Sequence, residues 1–451
     1  MLILAAVTAV VTANLLFRAV QEAKLASRSL LQTVALNLAE AGIEEGLFAL
    51  NTSGYTSANG WSVPGDGASS FVKTITGIDL VQATGSIRVR IDATYGTSPV
   101  VIAAGVIDIP KQPRIIKQVR IGTARRRPWS NGMVAKNEVS FSIASSVDSY
   151  DSSLGVYNSA TNRSDRATIA TNSATAGAVE LTGASAIYGY VATGGGDPSV
   201  ALGRIYGATS PGVPAAPTTY VDPTRVRRDF ATNLPNIAAP GGSAYDLGAV
   251  SVGFFGVMNL PRTGDVPGPN GRYLYRASSV NVGIFGDLNI KGPVDLIVTG
   301  NTNVVIGGGM NVGGSGAVNP SLNLYAAGNV LLAGFSNMSS SPAPNPAKAT
   351  IWGTSTTSQT ITLAIAGGIT GTIYAPNATL NLALGADIYG AAVAKDINVS
   401  LWGQFHWDSQ LLNVEVEGFG YRVNAWAELT AAAGSGRPFA RDNRLPFTSL
   451  F

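Results

Sequence analysis

The spacing of hydrophobic and polar positions predicts a helix at the start of the chain. Residues 1–17 are almost all apolar, and only Thr8, Thr12 and Asn14 interrupt them. Residues 18–50 contain no proline, and their apolar positions recur at helical spacing. The pattern predicts one continuous helix of about fifty residues. Its first half is apolar and its second half is amphipathic.

The apolar run has a length close to that of a membrane span. At about 1.5 Å per residue it measures roughly 25 Å, so it can cross a bilayer with some thinning or with Arg18 reaching the interface. A cleaved signal peptide and a simple single-span anchor are the alternatives. No positive charge precedes the run, which disfavours the signal peptide.

Four short alternating segments follow the helix. They lie at residues 71–75, 86–93, 100–109 and 115–121. Alternation of apolar and polar residues is typical of half-buried strands. The sequence therefore predicts a helix over residues 1–50 and a small β-sheet region over residues 51–128.

After Trp129 a different pattern begins, in which aliphatic residues flank an asparagine. It recurs around Asn259, Asn281, Asn289, Asn311, Asn323, Asn381, Asn398 and Asn413. The separations 259 to 281 and 289 to 311 are both 22 residues, a spacing found in solenoids. We predict a parallel β-helix over residues 129–420, with a β-sandwich as the alternative.

Two segments of this region differ in composition from the rest. Residues 201–242 contain six prolines, which disfavours interior strands and predicts an excursion from the solenoid. Residues 421–451 are rich in aromatic residues and arginine and predict a C-terminal cap with a short helix at 428–433. We expect the last residues to dock on an adjacent subunit through Phe447 and Phe451.

Composition narrows the classes of function. Lys and Arg number 30 and Asp and Glu 27, which gives a net charge of +3, and only 13% of the residues are charged. This balance argues against disorder and against a dedicated nucleic-acid binder. There is no Cys and only one His, so disulfides, thiolate metal sites and His-rich centres are excluded. We predict a structural protein without enzymatic activity, cofactor or metal.

Few residues suggest chemistry. Asp148 and Asp151 are read as turn-forming residues that accept backbone hydrogen bonds, with a carboxylate pair or a calcium site as alternatives. His406 precedes Asp408 by two residues. We interpret them as a hydrogen-bonded cap, because no nucleophile can be assigned to a catalytic His–Asp pair.

The string AEAGIEEGL at residues 39–47 resembles the helix end of the PilX-type minor pilins. These pilins belong to the type IV pilin-like proteins, and their motif lies about forty residues from the processed N-terminus. The resemblance implies that Met1 is the mature first residue. It also implies assembly through the helix, by residues Met1, Ala5, Ala9, Ala13, Phe17, Glu22, Glu40 and Gly42.

Position 5 departs from the pilin pattern. Most major pilins carry a Glu there that pairs with the N-terminal amine of a neighbouring subunit, whereas this chain has Ala5. A buried unpaired ammonium is costly, so another group must satisfy the amine. In pilin-like systems this absence is associated with minor or tip subunits.

A second resemblance lies in the β-rich region. The strings DSYDSS (148–153), YAPNA (374–378), YGAAVAK (389–395) and FHWD (405–408) occur in that order. They are similar to strings of a poorly characterised domain that follows PilX-type N-termini. The resemblance implies a right-handed β-helix of unassigned activity. Trp407 stands where that domain usually has Tyr.

Together these patterns predict an α+β protein with a long pilin-type helix, a small β-sheet and a large right-handed parallel β-helix head. The predicted function is a structural subunit of an extracellular type IV pilus-like filament, with an inner-membrane intermediate. Its predicted partners are itself or other pilins, the assembly machinery and the prepilin peptidase. A polysaccharide or surface ligand of the head stays open, and no specific nucleic acid is expected. The alternatives are a minor or tip pilin and a membrane-anchored adhesin or polysaccharide-active enzyme.

Overall fold

The computed structural model describes residues 2–52, 54–64, 70–81, 83–92, 98–341, 344–416 and 419–429. The chain forms two compact units. The first is built from the described residues of Met1–Arg126 and Glu415–Phe451, and the second is Arg127–Val414.

Helix α1 spans Leu2–Thr52, so the predicted continuous helix is confirmed. The backbone runs without a break from the apolar half into the amphipathic half, as expected where no proline interrupts good helix formers. Within the described residues, no helix combines the length and the apolar character that crossing a membrane requires.

The strands divide between the two units. Those of the first unit are β1 (Ser70–Asp79), β2 (Thr84–Asp92), β3 (Val100–Asp108), β4 (Ile115–Arg125) and the last strand of the chain, β31 (Tyr421–Leu429). Those of the second unit are β5 (Met133–Phe141), β6 (Ser146–Tyr150), β7 (Ala167–Thr171), β8 (Val179–Leu181), β9 (Ala186–Ala192), β10 (Ser199–Val200), β11 (Arg204–Tyr206), β12 (Tyr220–Val221), β13 (Val226–Arg227), β14 (Tyr245–Asp246), β15 (Ala249–Val252), β16 (Val257–Leu260), β17 (Tyr273–Ala277), β18 (Ser279–Val282), β19 (Asp287–Ile290), β20 (Pro293–Val298), β21 (Thr302–Val305), β22 (Gly309–Gly313), β23 (Ser321–Ala326), β24 (Val330–Ala333), β25 (Asn337–Ser341), β26 (Ala349–Gly353), β27 (Gln359–Ala364), β28 (Gly368–Ala383), β29 (Asp387–Val399) and β30 (Gln404–Asp408).

The first unit carries an antiparallel sheet in the order β1-β2-β3-β4-β31. Its first four strands lie where the sequence pattern predicts them. The fifth strand differs from the prediction of a cap over residues 421–451 with a short helix at 428–433. Instead β31 returns to pair with β4, and Glu428 forms an ion pair with Lys117 across that pairing. Backbone pairing along an open strand edge outweighs the helix-forming residues of this segment.

The second half of α1 packs against this sheet at close range. Ala35 and Ala39 are fully buried, and they join the cores formed with Ile87, Val101 and Ile107. A Cβ added to Gly105 of β3 would lie 1.9 Å from the Ala35 carbonyl oxygen and 2.8 Å from the Ala39 nitrogen. Helix and strand backbones therefore approach more closely than any side chain at position 105 would allow.

We expect Gly105→Ala to loosen the second half of α1 from the sheet. The added methyl group meets backbone atoms that cannot rotate away, so the cost is about 1–3 kcal/mol or more. Amide hydrogen exchange over residues 31–52 should accelerate. Gly241→Ala is the control, because the added Cβ has no atom within 4 Å. Equal exchange in the two variants would contradict this account of the packing.

The second unit is a stack of parallel coils. A typical coil contributes three strands, and each strand pairs in parallel with the strand three further along the chain. Thus β15, β18 and β21 form one ladder, and β16, β19 and β22 form another. The inward-facing aliphatic side chains, such as Val280, Leu288 and Val304, are fully buried or nearly so. This parallel stacked core agrees with the predicted α+β class, while its right hand stays a prediction.

The order of the coils in space differs from their order along the chain. The first coil, β5 and β6, lies beside β29 and β30, the last strands of the unit. On its other side it pairs with β7, β8 and β9. The stack therefore ends at β10–β13 on one side and at β14–β16 on the other, and its first and last coils meet in the middle.

The recurring asparagines form outward-facing ladders. Asn289 donates to Asn259 at 3.2 Å and accepts from Asn311 at 3.2 Å. Asn303 donates to Asn281 at 2.9 Å. The predicted register is therefore correct for 289 and 311 but wrong for 259 and 281, because Asn259 lies opposite Asn289, 30 residues away. The coil that contains residues 261–272 is longer than the next coil.

One corner of the stack is built from short turns with left-handed backbone. Positive φ angles occur at Phe255, Phe285, Ile306, Phe335, Ile365, Leu384, Leu401, Trp402, Ile143 and Leu202. Each turn bonds to the next coil, as when the Phe285 nitrogen donates to the Ile306 oxygen at 3.0 Å. For residues other than glycine this conformation costs roughly 1–2 kcal/mol each. The ladder of hydrogen bonds holds the turns in it.

The proline-rich segment divides into two parts. Strands β10–β13 form the end coil, so residues 199–227 lie partly inside the stack and are not wholly an excursion. Residues 228–244, named the strap here, lead from this end coil to β14 at the opposite end. Thr232 exchanges hydrogen bonds with Asn172 at 2.8 and 2.9 Å. The strap is the connection that the spatial order of the coils requires.

Candidate functional site

The first half of α1 is exposed on every side. All residues from 7 to 30 are exposed, although helices of globular proteins normally bury one face. Its large apolar side chains, with 47–69% of their surface exposed, are Val7, Val10, Val11, Leu15, Leu16, Phe17, Val20, Leu25 and Leu30. We name residues 7–30 the exposed helix segment. It presents an apolar surface that none of the described residues of its unit covers.

Polar residues within this segment form hydrogen bonds to the helix itself. The Thr12 hydroxyl donates to the Thr8 carbonyl at 2.8 Å, and the Asn14 amide donates to the Val10 carbonyl at 3.0 Å. Bonds of this kind satisfy a polar side chain without water. These positions can therefore be buried against an apolar partner at little cost.

The predicted assembly residues lie in different environments along α1. Ala9, Ala13, Phe17 and Glu22 lie in the exposed helix segment, and Glu40 is exposed further along. Met1 lies outside the described residues, and Ala5 is described only as part of the helix backbone. The docking residues Phe447 and Phe451 also lie outside the described residues.

Gly42 has a different environment. It faces the sheet, where an added Cβ would lie 2.7 Å from Ile87 and 2.8 Å from Ala103. A Cβ added to Gly46 would lie 2.5 Å from Val101. The two glycines of the AEAGIEEGL string therefore allow contact between helix and sheet inside the unit. The pilin resemblance predicts an assembly role for Gly42 and none for Gly46, although their spacing of four residues places both on one helix face.

In the second unit a buried polar cluster surrounds Asp148. His406 Nδ1 lies 2.6 Å from Asp148 Oδ1. The Tyr157 hydroxyl and Arg163 Nε donate to Asp148 Oδ2 at 2.7 and 2.9 Å. His406 is 2% exposed and Asp148 is 5% exposed. Because β6 and β30 are paired in register, His406 is opposite Asp148 and not bonded to Asp408 as the sequence suggested.

Aromatic rings enclose His406. Tyr157 stacks against it with ring centres 3.8 Å apart, and Tyr389 does so at 4.8 Å. Burial raises the pKa of Tyr389 to about 12, so its phenol is protonated at neutral pH. The sequence pattern does not predict Tyr157 and Arg163 as partners of Asp148, because their spacing from Asp148 has no recognisable period.

The other aspartates of the two strings act as caps. Asp151 accepts from the Ser153 nitrogen at 2.9 Å, as predicted for a turn residue. Hydrogen bonds lower the pKa of Asp151, and the largest effect comes from the Ser153 side chain. Asp408 accepts from the Ser152 and Gln410 nitrogens at 3.0 and 3.1 Å. Strings 148–153 and 405–408 therefore bind each other although more than 250 residues separate them.

The YAPNA string holds the strap. The Tyr374 hydroxyl donates to the Pro235 carbonyl at 2.9 Å, and the Asn377 amide donates to Asn236 at 3.0 Å. Tyr374 is buried at 1% exposure. These contacts give the string a structural role that its sequence did not reveal.

The arrangement offers little for catalysis. The His406 cluster is closed by tyrosines, and Asp148 has its oxygens occupied by three partners. Two neighbouring grooves of about 340 and 300 Å³ share Ser152 and Asn345, and Asp408 is the acid that lines the smaller one. Among the described residues, no group of three or more His, Cys, Asp or Glu could hold a metal ion.

Comparison with known proteins adds a partial family match. Residues 259–414 match the model of a domain of unknown function (DUF7305), which is less than half of the chain. No curated protein matches the chain. Two solved structures are similar at 10% identity: the competence-associated pilin ComZ from Thermus thermophilus and an ice binding protein from an Antarctic bacterium, Flavobacteriaceae.

The alignment with the pilin covers 87% of this chain and 97% of that chain, with a TM-score of 0.19. The alignment with the ice binding protein covers 61% and 79%, with a TM-score of 0.20. At these scores neither likeness supports a statement about function.

We expect Asp148→Asn to destabilise the second unit. The substitution keeps the shape but removes the charge that Arg163, Tyr157 and His406 share, at a cost of about 1–3 kcal/mol. Scanning calorimetry of the full chain measures the loss as a lower unfolding temperature. The control Glu180→Gln neutralises an exposed acid on β8 and should leave the transition unchanged. A transition in Asp148→Asn at the native temperature would show that the cluster contributes nothing to stability.

Asp387 should make the folded state less stable as the pH rises, whereas most acids make it more stable. Its Oδ1 is buried with no hydrogen-bond partner among the described residues, and burial raises the pKa of Asp387 against the opposing effect of His406. Its charged form is therefore disfavoured in the folded state. Stability is lost as the pH rises from the unfolded value, about 3.9, through the higher folded value.

We expect Asp387→Asn to raise the unfolding temperature at pH 7 and to change it little at pH 3, where the acid is protonated in both states. Calorimetry at the two pH values tests this. A gain of equal size at both values would assign the effect to packing and contradict the role of ionisation.

Proposed function

We propose that the chain is a structural subunit of an extracellular type IV pilus-like filament. In this proposal the exposed helix segment packs against the same segment of other subunits, and the coil stack, a right-handed β-helix, is displayed outward. Parallel crossovers are right-handed in nearly all proteins, which supports the assigned hand. The observation that carries the proposal is the exposure of residues 7–30 on all sides.

Energetics favour a partner for this segment. Isolated helices are marginal in water, and their stability in proteins comes mainly from packing an apolar face. Covering nine large apolar side chains, each contributing roughly 1.5–3 kcal/mol when fully buried, provides on the order of 10 kcal/mol. Because the apolar residues surround the helix, several neighbours are needed to cover it. A helical filament core supplies them.

The remainder of the first unit anchors the helix. The second half of α1 is held to the sheet by close backbone contact at Gly105 and by the Lys73–Glu45 ion pair at 2.7 Å. The exposed helix segment therefore projects from a fixed base. Small residues at Ala9 and Ala13 permit close approach of neighbouring helices.

The role we propose is structural and not catalytic. The coil interior is filled with aliphatic side chains, and the His406 cluster is closed by tyrosines. A polysaccharide-active enzyme would need paired carboxylates across an open cleft. Other pilins, the assembly machinery and the prepilin peptidase are the partners we propose, at the cell surface. The inner-membrane stage before assembly remains a prediction.

A minor or tip subunit is the second candidate. Ala5 favours it, because the position offers no carboxylate to neutralise a neighbouring amine. Filaments sheared from the producing cells and analysed by mass spectrometry separate the two roles. A dominant chain supports the main subunit, and a trace amount beside a smaller pilin supports the minor role. A chain retained in membranes supports an anchored adhesin and contradicts both.

We expect Val10→Asp to reduce the yield of sheared filaments at least about tenfold, since an unpaired charge in an apolar contact is costly. Electron microscopy and quantitation of the chain in the sheared fraction measure this. The control Val63→Asp changes an equally exposed apolar residue outside the helix and should leave the yield unchanged. Normal filaments from Val10→Asp would exclude assembly through this segment.

A further inference from the structure

The left-handed turns of the coil stack carry large apolar side chains that point into solvent. We name this ladder the apolar corner, and its members, with 39–73% of their surface exposed, are Phe254, Phe255, Ile284, Phe285, Ile306, Phe335, Ile365, Leu384, Trp402, Ile143 and Leu202. Phe255 and Phe285 stack with ring centres 5.3 Å apart. The ladder follows one edge of the stack from the coil of β15 to the coil of β10.

The residue types at the corner conflict with the local backbone. Turns with positive φ favour Gly, Asn or Asp, which adopt that conformation at low cost. Phe335, Ile365 and Trp402 have φ of 61°, 52° and 65°, where bulky residues are outliers. Their exposure shows that they add little to the core. A local rule broken at successive levels of the stack, with no gain in burial, indicates a function for the side chains.

The residues that follow the corner turns offer few polar side chains at the surface. The residue after each turn is Gly, Ala or Ser, as in Gly256, Gly286, Ser336, Gly367 and Gly403. All of these except Gly256 are buried, so they supply few side-chain hydrogen bonds to a partner. A sugar-binding surface would combine stacked rings with placed polar groups. The corner therefore favours a partner that is itself apolar and regular.

The dimensions of the corner select the partner. Stacked strands lie about 4.8 Å apart, so the ladder is roughly 40 Å long. Its exposed apolar area is on the order of 1,000 Å², above the 300–600 Å² of the largest patch on a typical monomer. It is comparable with the roughly 800 Å² that each partner buries in a stable interface. A second copy of this stack has the same length and the same repeat.

We infer that the apolar corner is an interface between two copies of this chain, which pair corner to corner with two-fold symmetry. Such a pairing is self-complementary, so the middle of one ladder faces the middle of the other. The interface would join heads laterally, independently of the helix contacts in the proposed filament.

The absence of cysteine permits a direct test. Ala366→Cys places a thiol at the exposed middle of the corner and leaves the large side chains in place. Thr356→Cys, exposed on another turn of the same coil, is the matched control. Full-length variants on the producing cells are oxidised mildly and examined on non-reducing gels. We expect at least tenfold more covalent dimer from Ala366→Cys.

A second pair of variants removes the interface. Phe335→Asn, Ile365→Asn and Trp402→Asn, combined in the Ala366→Cys chain, should reduce the dimer at least tenfold. Asparagine tolerates left-handed backbone, so the unfolding temperature should be unchanged or higher. The control triple variant Leu154→Asn, Val266→Asn and Val318→Asn changes three exposed apolar residues away from the corner and should keep the dimer.

Three results would overturn the inference. The first is no excess of dimer from Ala366→Cys. The second is a dimer that survives the corner variant. The third is a lower unfolding temperature in that variant, which would make the corner a stabilising element. In the second case, lost adhesion of the corner variant to a polysaccharide surface would assign the corner to a ligand.

Filament yield, scored by microscopy in the same cells, separates this inference from the proposed function. Filaments without cross-linking reject the corner interface alone. Cross-linking without filaments, as in Val10→Asp, supports the corner and leaves the helix to its own test.

Discussion

Parallel backbone pairing between successive coils is the interaction on which the second unit depends. It sets a repeat of about 4.8 Å and keeps each side chain above its equivalent in the previous coil. Aliphatic residues therefore stack inward, asparagines bond to asparagines outside, and one corner collects the left-handed turns. The same constraint that stabilises the fold thus arranges its surface into straight ladders. The asparagines of a ladder hydrogen-bond to one another, whereas the apolar side chains of the corner stay exposed to solvent.

The insertion of the first coil between the last coil and the second is the other organising feature. It brings Asp148 opposite His406 and lets Asp408 cap the segment that starts at Ser152. Because of this order, the chain must connect one end of the stack to the other. The strap makes this connection, and hydrogen bonds from Tyr374 and Asn377 fix it to the stack. Three of the strings, 148–153, 374–378 and 405–408, thus supply the contacts that close this topology.

The first unit poses a different physical problem. Its helix is anchored at one end by close contact with the sheet and is exposed over the other. A surface of this kind is incomplete in a single chain, because apolar area of that size is normally buried. The two exposed apolar surfaces, helix and corner, belong to separate units. The proposed filament contacts would cover the first, and the inferred pairing of two copies would cover the second.

Local patterns in the sequence determined many of the elements and the broad class of fold. Helical spacing without proline defined α1, alternation defined β1–β4, and the aliphatic–Asn–aliphatic signature indicated stacked strands. These signals are local, because side-chain periodicity depends only on neighbouring residues. Composition alone removed disulfides, thiolate sites and His-rich centres.

Only the tertiary structure decided which elements meet. The return of β31 to the sheet, the placement of β5 beside β29 and the pairing of His406 with Asp148 all join residues far apart in sequence. No local period encodes such contacts, since their register is set by backbone pairing and by variable coil lengths. The apolar corner had a sequence signal, a large apolar residue that recurs immediately before Gly, Ala or Ser. Its meaning required the tertiary structure, because the exposed fractions show that these side chains face solvent and the positive φ angles show that they do so at a cost to the fold.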